Sequence, residues 1–316
     1  MSIAKTLKEN KSTAFSFEVL PPVKGHNISS VFLTIDKFKE FNPAYINITT
    51  HRNEITYKET ESGIYRQVVE RRRPGTVAIA AAIKNRYHIP TVPHIICSGY
   101  SKEEIEYELI DLSFMGITDL LVLRGDKAKH DPRFIATKGG YNHAIELQEQ
   151  INQFNKGEFL DGSTMDITTQ FSYGTAGYPE KHEEAMNFDI DLKYLKDKIE
   201  AGAEYIVTQM FFDNKKYFDF VDKCRSIGIN VPIIPGLKPI STLTHKSVLP
   251  KTFHIDFPEE LAKEFIKCKT NDEAKALGIE WCTFQAKELK AHNVPSIHFY
   301  SINAVNSIIE VAKAVY

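Results

Sequence analysis

Cysteine is scarce. Four residues, Cys97, Cys224, Cys268 and Cys282, stand far apart in 316. None forms a CxxC pair or a Cys/His cluster with zinc spacing, which points to free thiols in a reducing compartment and to no metal site. Long apolar runs are missing too. The longest, such as 77-VAIAAAI-83, falls well short of the roughly 20 residues of a membrane helix. The N-terminal MSIAKTLKENKSTAF lacks the apolar stretch and cleavage site of a secretory signal. Charge of one sign is missing as well: 39 Lys and Arg stand against 41 Asp and Glu, a net charge of −2. No overall field gathers nucleic acid or an anionic membrane. The expectation is a cytoplasmic chain with neither kind of partner. Low-complexity tracts, short repeats and Gly/Ser linkers are also absent.

What is there is alternation. β-rich runs recur at 14-AFSFEVL-20, 44-AYINITT-50, 91-TVPHIIC-97, 119-DLLVLRG-125, 166-DITTQFSYG-174, 205-YIVTQMFF-212, 231-VPIIPG-236 and 296-SIHFYSI-302. Helical patterns separate them. Residues 29–41 put Val31, Ile35 and Phe38 on one stripe. Residues 101–116 open on Ser101 with Glu104 three positions later, a capping box, and close on Gly116. Residues 188–202 repeat Leu192, Leu195 and Ile199, and 215–228, 258–268, 271–293 and 303–315 continue the series. Eight strand-then-helix units predict an α/β fold, a (β/α)8 TIM barrel occupying 1–316 as a single domain. The competing architecture is a doubly wound open sheet. No strand is followed by GxGxxG or GxxxxGK[ST], which weighs against it.

Barrel chemistry sits at the C-terminal ends of the strands. The polar residues there are Glu18, then Asn47, Thr49 and Thr50 with His51 and Arg52, then His94, Arg124-Gly125-Asp126, 177-GYPEKH-182, Gln209, and finally His298 and Tyr300. Each has a bland reading: a rim carboxylate, a satisfied core histidine, a solvated charge. Asp191 and Lys198 lie seven apart on one side of a helix, which suits a solvated face as well as a ligand. From these residues alone the inference is a mixed-charge pocket with no metal cluster and no Ser/His/Asp triad.

Taken in order, SFEVLPP, VPHIIC, LRGD, AGYPEKH, AGAEYIVTQMFFD, PIIPGLKPIS and HFYSIN resemble the bacterial-type, FAD-dependent methylenetetrahydrofolate reductases, over residues 14 to 305. The resemblance implies a barrel that reduces 5,10-methylenetetrahydrofolate to 5-methyltetrahydrofolate, the methyl source for methionine, by a ping-pong mechanism. NADH or NADPH is the electron donor, FAD the bound cofactor, and the assembly a homo-oligomer. It implies no C-terminal regulatory domain. It makes Glu18 the acid and Asp126 its electrostatic companion. It assigns FAD contacts to Thr49, Thr50, Arg52, His94, Arg124, Gly125, Asp126, Ala144, Tyr178, His182, Asp191 and Lys198. Substrate contacts fall on Gln209, Tyr300 and His245. An acid role requires a carboxyl pKa raised by desolvation, and Phe15, Phe17, Val19 and Leu20 are the expected apolar surroundings. The chain departs from the family pattern in three places. Thr49-Thr50 replaces a Thr-Tyr pair, Ala304 stands where an arginine meets folate, and His245 replaces a glutamine. The alternatives are another flavin barrel, proline dehydrogenase-like, and a flavin- or folate-binding regulator without turnover.

Overall fold

The computed structural model describes residues 2–128 and 131–316. Its strands are β1 (Ala14–Val19), β2 (Tyr45–Ile48), β3 (Glu54–Glu59), β4 (Tyr65–Glu70), β5 (Thr91–Ile96), β6 (Asp119–Leu123), β7 (Ser172–Gly177), β8 (Tyr205–Met210), β9 (Ile233–Leu237) and β10 (Ser296–Phe299). Eight of them close into a barrel in the order β1-β10-β9-β8-β7-β6-β5-β2, while β3 and β4 form a separate antiparallel hairpin. The neighbours β1/β10, β10/β9, β9/β8, β8/β7 and β5/β6 run parallel. Helices alternate with the barrel strands, so the architecture is the predicted (β/α)8 barrel. The barrel strands are buried almost throughout, as strands covered on both faces must be.

By internal packing the chain divides into two compact units. The first comprises Met1–Val19, Leu33–Asn47 and Ser172–Tyr316, the second Leu20–Phe32 and Ile48–Phe171. In the first, an aromatic layer backs β1. Phe17 packs on Phe38 at 4.6 Å between ring centroids, and Phe15 on Phe299 and Tyr316 at 5.4 and 5.5 Å. In the second, the helix Lys102–Phe114 carries the predicted capping box. Glu104 N–H donates to Ser101 Oγ (3.2 Å) and Ser101 N–H to Glu104 Oε2 (2.8 Å). Gly116 follows that helix at φ +62°, the left-handed conformation that favours glycine.

Several boundaries differ from expectation. The fifth barrel strand is Ser172–Gly177, not 166–174. The segment before it is held by the Asn155 side chain, which accepts from Phe171 N–H (2.8 Å) and donates to its carbonyl (2.9 Å). The true strand is glycine-containing because a Cβ on Gly174 would lie 2.2 Å from the Tyr205 ring. The helices Ile3–Glu9, Thr76–Tyr87, Ala144–Asn155 and His245–Phe253 and the β3/β4 hairpin are additional to the expected elements. No helix among the described residues is long and apolar enough to cross a membrane.

Candidate functional site

In the first unit, alternation along β1 separates two chemistries. Phe15 and Phe17 belong to the aromatic layer, so Ser16 and Glu18 face the opposite side. Ser16 Oγ lies 3.1 Å from both Ser296 Oγ and His298 Nδ1. The His298 ring stacks on Tyr45 (6.3 Å between centroids) and meets Tyr300 edge-on (5.4 Å). Tyr300 donates its hydroxyl proton to Thr208 O (2.6 Å). Its ring lies so close to Gly236 that a Cβ there would sit 2.5 Å away. This polar seam leads to Glu18, which is only 6% exposed. Burial pushes its carboxyl up from 4.5 to about 7, against the pull of the Lys238 cation. Of the expected apolar neighbours, Phe15 and Phe17 lie across the strand from Glu18.

Lys238 has no counterpart among the expected site residues. It follows β9, and its ammonium donates to Ile302 O (2.7 Å) and, more weakly, to Tyr300 O (3.4 Å). Ser301, in the same loop, donates to Glu18 O (2.5 Å). The loop after β10 is therefore tied to the ends of both β1 and β9. Burial lowers the Lys238 pKa, with Glu18 opposing, so the pair is drawn towards neutrality from both sides. In the sequence it stands within the PIIPGLKPIS segment, directly after a buried strand.

Gln209 sits where the β8/β9 register slips between Val207 and Met210. Such an irregularity re-aims a side chain. Its Oε1 accepts from Met210 N–H (2.9 Å). His245 opens its helix, and its Nδ1 accepts from Ser241 N–H (3.2 Å), which leaves the proton of the neutral ring on Nε2. Burial and the Lys238 cation hold its pKa down. After β7, Tyr178 meets His182 edge-on (4.6 Å), and His182 N–H donates to Asp191 Oδ2 (2.9 Å). Lys198 donates to Ala176 O (3.1 Å). Lys198 therefore reaches the end of β7 and Asp191 the loop after it, the arrangement that seven-residue spacing allowed.

In the second unit, His94 is buried on β5 and Thr50 Oγ1 donates to its carbonyl (2.5 Å). Desolvation, helped by His51, pushes its imidazole down to about 3, so it is neutral at physiological pH. His94 Nε2 has no hydrogen-bond partner among the described residues. At the end of β6, Ser98 donates from its N–H to Arg124 O (2.9 Å) and from Oγ to Asp126 O (2.6 Å). Gly125 between them has φ +80°, and a Cβ would sit 2.9 Å from Ser98 Cβ. The Arg124 guanidinium lies 4.7 Å above the Phe134 ring, and the Asp126 side chain is exposed. Arg52 Nη1 lies 3.5 Å from Ser98 Oγ, and Thr49 is half-buried at the end of β2. Ala144 is the first residue of the helix Ala144–Asn155, whose N-terminus is boxed by Glu146. Among the described residues no group of three His, Cys, Asp or Glu could hold a metal ion.

A family model described as methylenetetrahydrofolate reductase matches residues 3–315. Methylenetetrahydrofolate reductase (NADH) 1 of Arabidopsis thaliana is 32% identical, covering 96% of this chain and 48% of the relative. The 5,10-methylenetetrahydrofolate reductase of Escherichia coli K12 is 28% identical, covering 91% of this chain and 86% of the relative. A probable methylenetetrahydrofolate reductase (NADPH) of Caenorhabditis elegans is 28% identical over 98% of this chain and 43% of its own length. The chain thus spans about half the length of the plant and animal relatives. Among solved structures, an uncharacterized Clostridium thermocellum protein that binds two copies of 5-methyl-5,6,7,8-tetrahydrofolic acid superposes with a TM-score of 0.56. It is 14% identical, with 98% of this chain and 97% of that chain covered. Tryptophan synthase of M. tuberculosis superposes at 0.51 with 9% identity, over 99% and 96% of the two chains. Those likenesses speak to the fold alone; the family rests on the sequence match along nearly the whole length. The chain belongs to the methylenetetrahydrofolate reductase family.

Proposed function

We propose that residues 1–316 act as one catalytic domain that reduces 5,10-methylenetetrahydrofolate to 5-methyltetrahydrofolate, with FAD as resident cofactor and NADH or NADPH as donor. Family membership supports the reaction class. The observation that carries the assignment to these residues is the Glu18 carboxyl, buried and held at about 7. The imidazolidine ring of the substrate must open before a hydride reaches its one-carbon unit. Opening requires a proton on the departing nitrogen. An ordinary carboxyl titrates near 4 and has lost its proton at neutral pH. Glu18 keeps its proton through much of the neutral range, and its conjugate base, once formed, is costly enough in its buried setting to be reprotonated. Asp126 supplies a fixed negative charge that favours the cationic iminium so formed. Gln209, Tyr300 and His245 orient the substrate by hydrogen bonds.

FAD fits the residues present. The buried His94 Nε2 lacks a partner among the described residues, and a buried polar atom of that kind calls for a ligand or a water. Its neutral ring can offer either a donor or an acceptor. Arg124, His182 and Lys198 supply cations and donors for a pyrophosphate and ribityl hydroxyls. Thr49, Thr50, Arg52, Tyr178 and Asp191 add hydrogen bonds and a ring face, and Gly125 and Ala144 offer backbone close to the ligand. When bound, FAD supplies a two-electron store that accepts hydride from the nicotinamide and returns it to the one-carbon unit. Donor and acceptor take the same place in turn, which gives ping-pong kinetics.

The test is an anaerobic spectrum of the purified protein with FAD. We expect a yellow protein, bleached by NADH or NADPH and recoloured by methylenetetrahydrofolate. A protein that stays colourless with FAD, or one reduced by the nicotinamide that folate does not reoxidise, overturns the proposal.

A further inference from the structure

The β3/β4 hairpin takes no part in the barrel sheet, and no step of the proposed reaction uses it. Its register sorts the side chains into two faces. Glu54/Glu70, Thr56/Val68 and Lys58/Arg66 share one, while Tyr57/Gln67, Glu59/Tyr65 and Val69 share the other. The second face is rich in apolar groups, yet it is bare: Tyr57, Tyr65 and Val69 are 67%, 64% and 63% exposed. A lone two-stranded hairpin is at best marginally stable in water, so covering this one stabilises it.

β3 is also an open edge. Thr60 N–H donates to Ile64 O (2.8 Å), so strict alternation turns the backbone groups of 58, 56 and 54 towards β4 and those of 57 and 59 outwards. The far end of β4 is flanked: Lys24 N–H donates to Arg72 O (2.7 Å), and the Lys24 ammonium pairs with Glu70. Beside β3 no backbone segment other than β4 is bonded among the described residues.

We propose that β3 seats a second copy of this chain, pairing antiparallel with its own counterpart about a two-fold axis at Thr56. Charge complementarity selects this occupant. The strand reads Glu54-x-Thr56-x-Lys58, which is its own complement when reversed. Antiparallel pairing about Thr56 sets Glu54 of one copy opposite Lys58 of the other, twice, as an isologous contact requires. Both fall at non-hydrogen-bonded positions, where cross-strand side chains approach most closely. The outward backbone groups of Tyr57 fall at hydrogen-bonded positions of the new ladder. Within one copy neither charge has an opposite charge directly across the ladder, since Glu54 faces Glu70. Lys58 lies across from Arg66, a like charge. Glu54 has Arg72 (3.0 Å), which also reaches Glu70 (3.7 Å). Pairing adds a carboxylate directly opposite Lys58, which within one copy acts on the more distant Glu70 shared with Lys24 and Arg72, and extends the two-stranded hairpin to a four-stranded sheet.

The test is sedimentation velocity on the full chain across a concentration series. Wild type is expected to associate in even-numbered assemblies. Glu54→Lys and Lys58→Glu should each weaken self-association about tenfold or more, because two symmetry-related attractions become repulsions. Lys58→Glu also places a carboxylate opposite Arg66 within the hairpin, so its loss of association does not reflect a weakened hairpin. An equimolar mixture of the two variants should associate again, since every mixed contact sets a cation opposite a carboxylate. A wild type that is monomeric throughout overturns the proposal. So do variants that associate as wild type does, which would place the contact or its occupant elsewhere, and so does a mixture no tighter than its components.

Discussion

Glu18→Gln removes a charge while keeping the shape, and so isolates the cost of a buried carboxylate. The folded-state carboxyl titrates at about 7 against 4.5 for the ordinary group. A raised pKa means that the folded state holds the proton more tightly than the unfolded one. The stability contributed by this group is therefore fully present below 4.5 and lost as pH rises through about 7. At roughly 1.36 kcal/mol per pH unit, wild type loses about 3 kcal/mol across that window. Glutamine does not titrate, and groups common to both proteins cancel in the difference. The variant should match wild type near pH 4.5 and exceed it by about 3 kcal/mol at pH 8, a rise in Tm of about 5 °C for a chain of this length. Urea denaturation of both proteins at several pH values measures it. A difference that stays constant with pH, or grows as pH falls, would mean that the Glu18 carboxyl is not raised in the folded state.

Lys238→Met should move the alkaline limb of the folate half-reaction to higher pH. Without the cation, the Glu18 carboxylate is less favoured and its pKa climbs further; an unchanged pH profile counts against this role. Gly125→Ala should destabilise the protein by about 1–3 kcal/mol in thermal melts, because it imposes φ +80° on a side chain that meets Ser98 Cβ at 2.9 Å. Lys198→Met should weaken FAD binding about tenfold in a fluorescence titration, through loss of a charged donor, while the protein stays folded; unaltered affinity makes the Lys198 contact with Ala176 O purely structural.

The barrel was legible because its strands are short apolar runs bounded by glycine, proline or caps, and its helices repeat on a 3.6-residue period. What escaped did so for physical reasons. Thr76–Tyr87 is an alanine-rich helix whose apolar stripe is narrow, with only Ile79, Ala80 and Ile83 among its buried apolar residues. β7 hides behind Gly174 and Gly177, which packing against Tyr205 and Phe220 requires. The hairpin escaped because Tyr57, Tyr65 and Val69 alternate with charges on an exposed surface and give no core-facing pattern. At the candidate site, strand ends pointed to Glu18, His94 and Gln209. Lys238 stood in the quoted PIIPGLKPIS segment without a role, because its importance depends on where the loops after β9 and β10 meet. That placement is tertiary, and no spacing in the chain encodes it.

The central claim is that Glu18 delivers the proton that opens the substrate ring. It is tested most directly by stopped-flow measurement of the two half-reactions of Glu18→Gln. Flavin reduction by the nicotinamide should proceed at close to the wild-type rate while reoxidation by methylenetetrahydrofolate is lost. Equal loss in both half-reactions, or retained reoxidation, contradicts it.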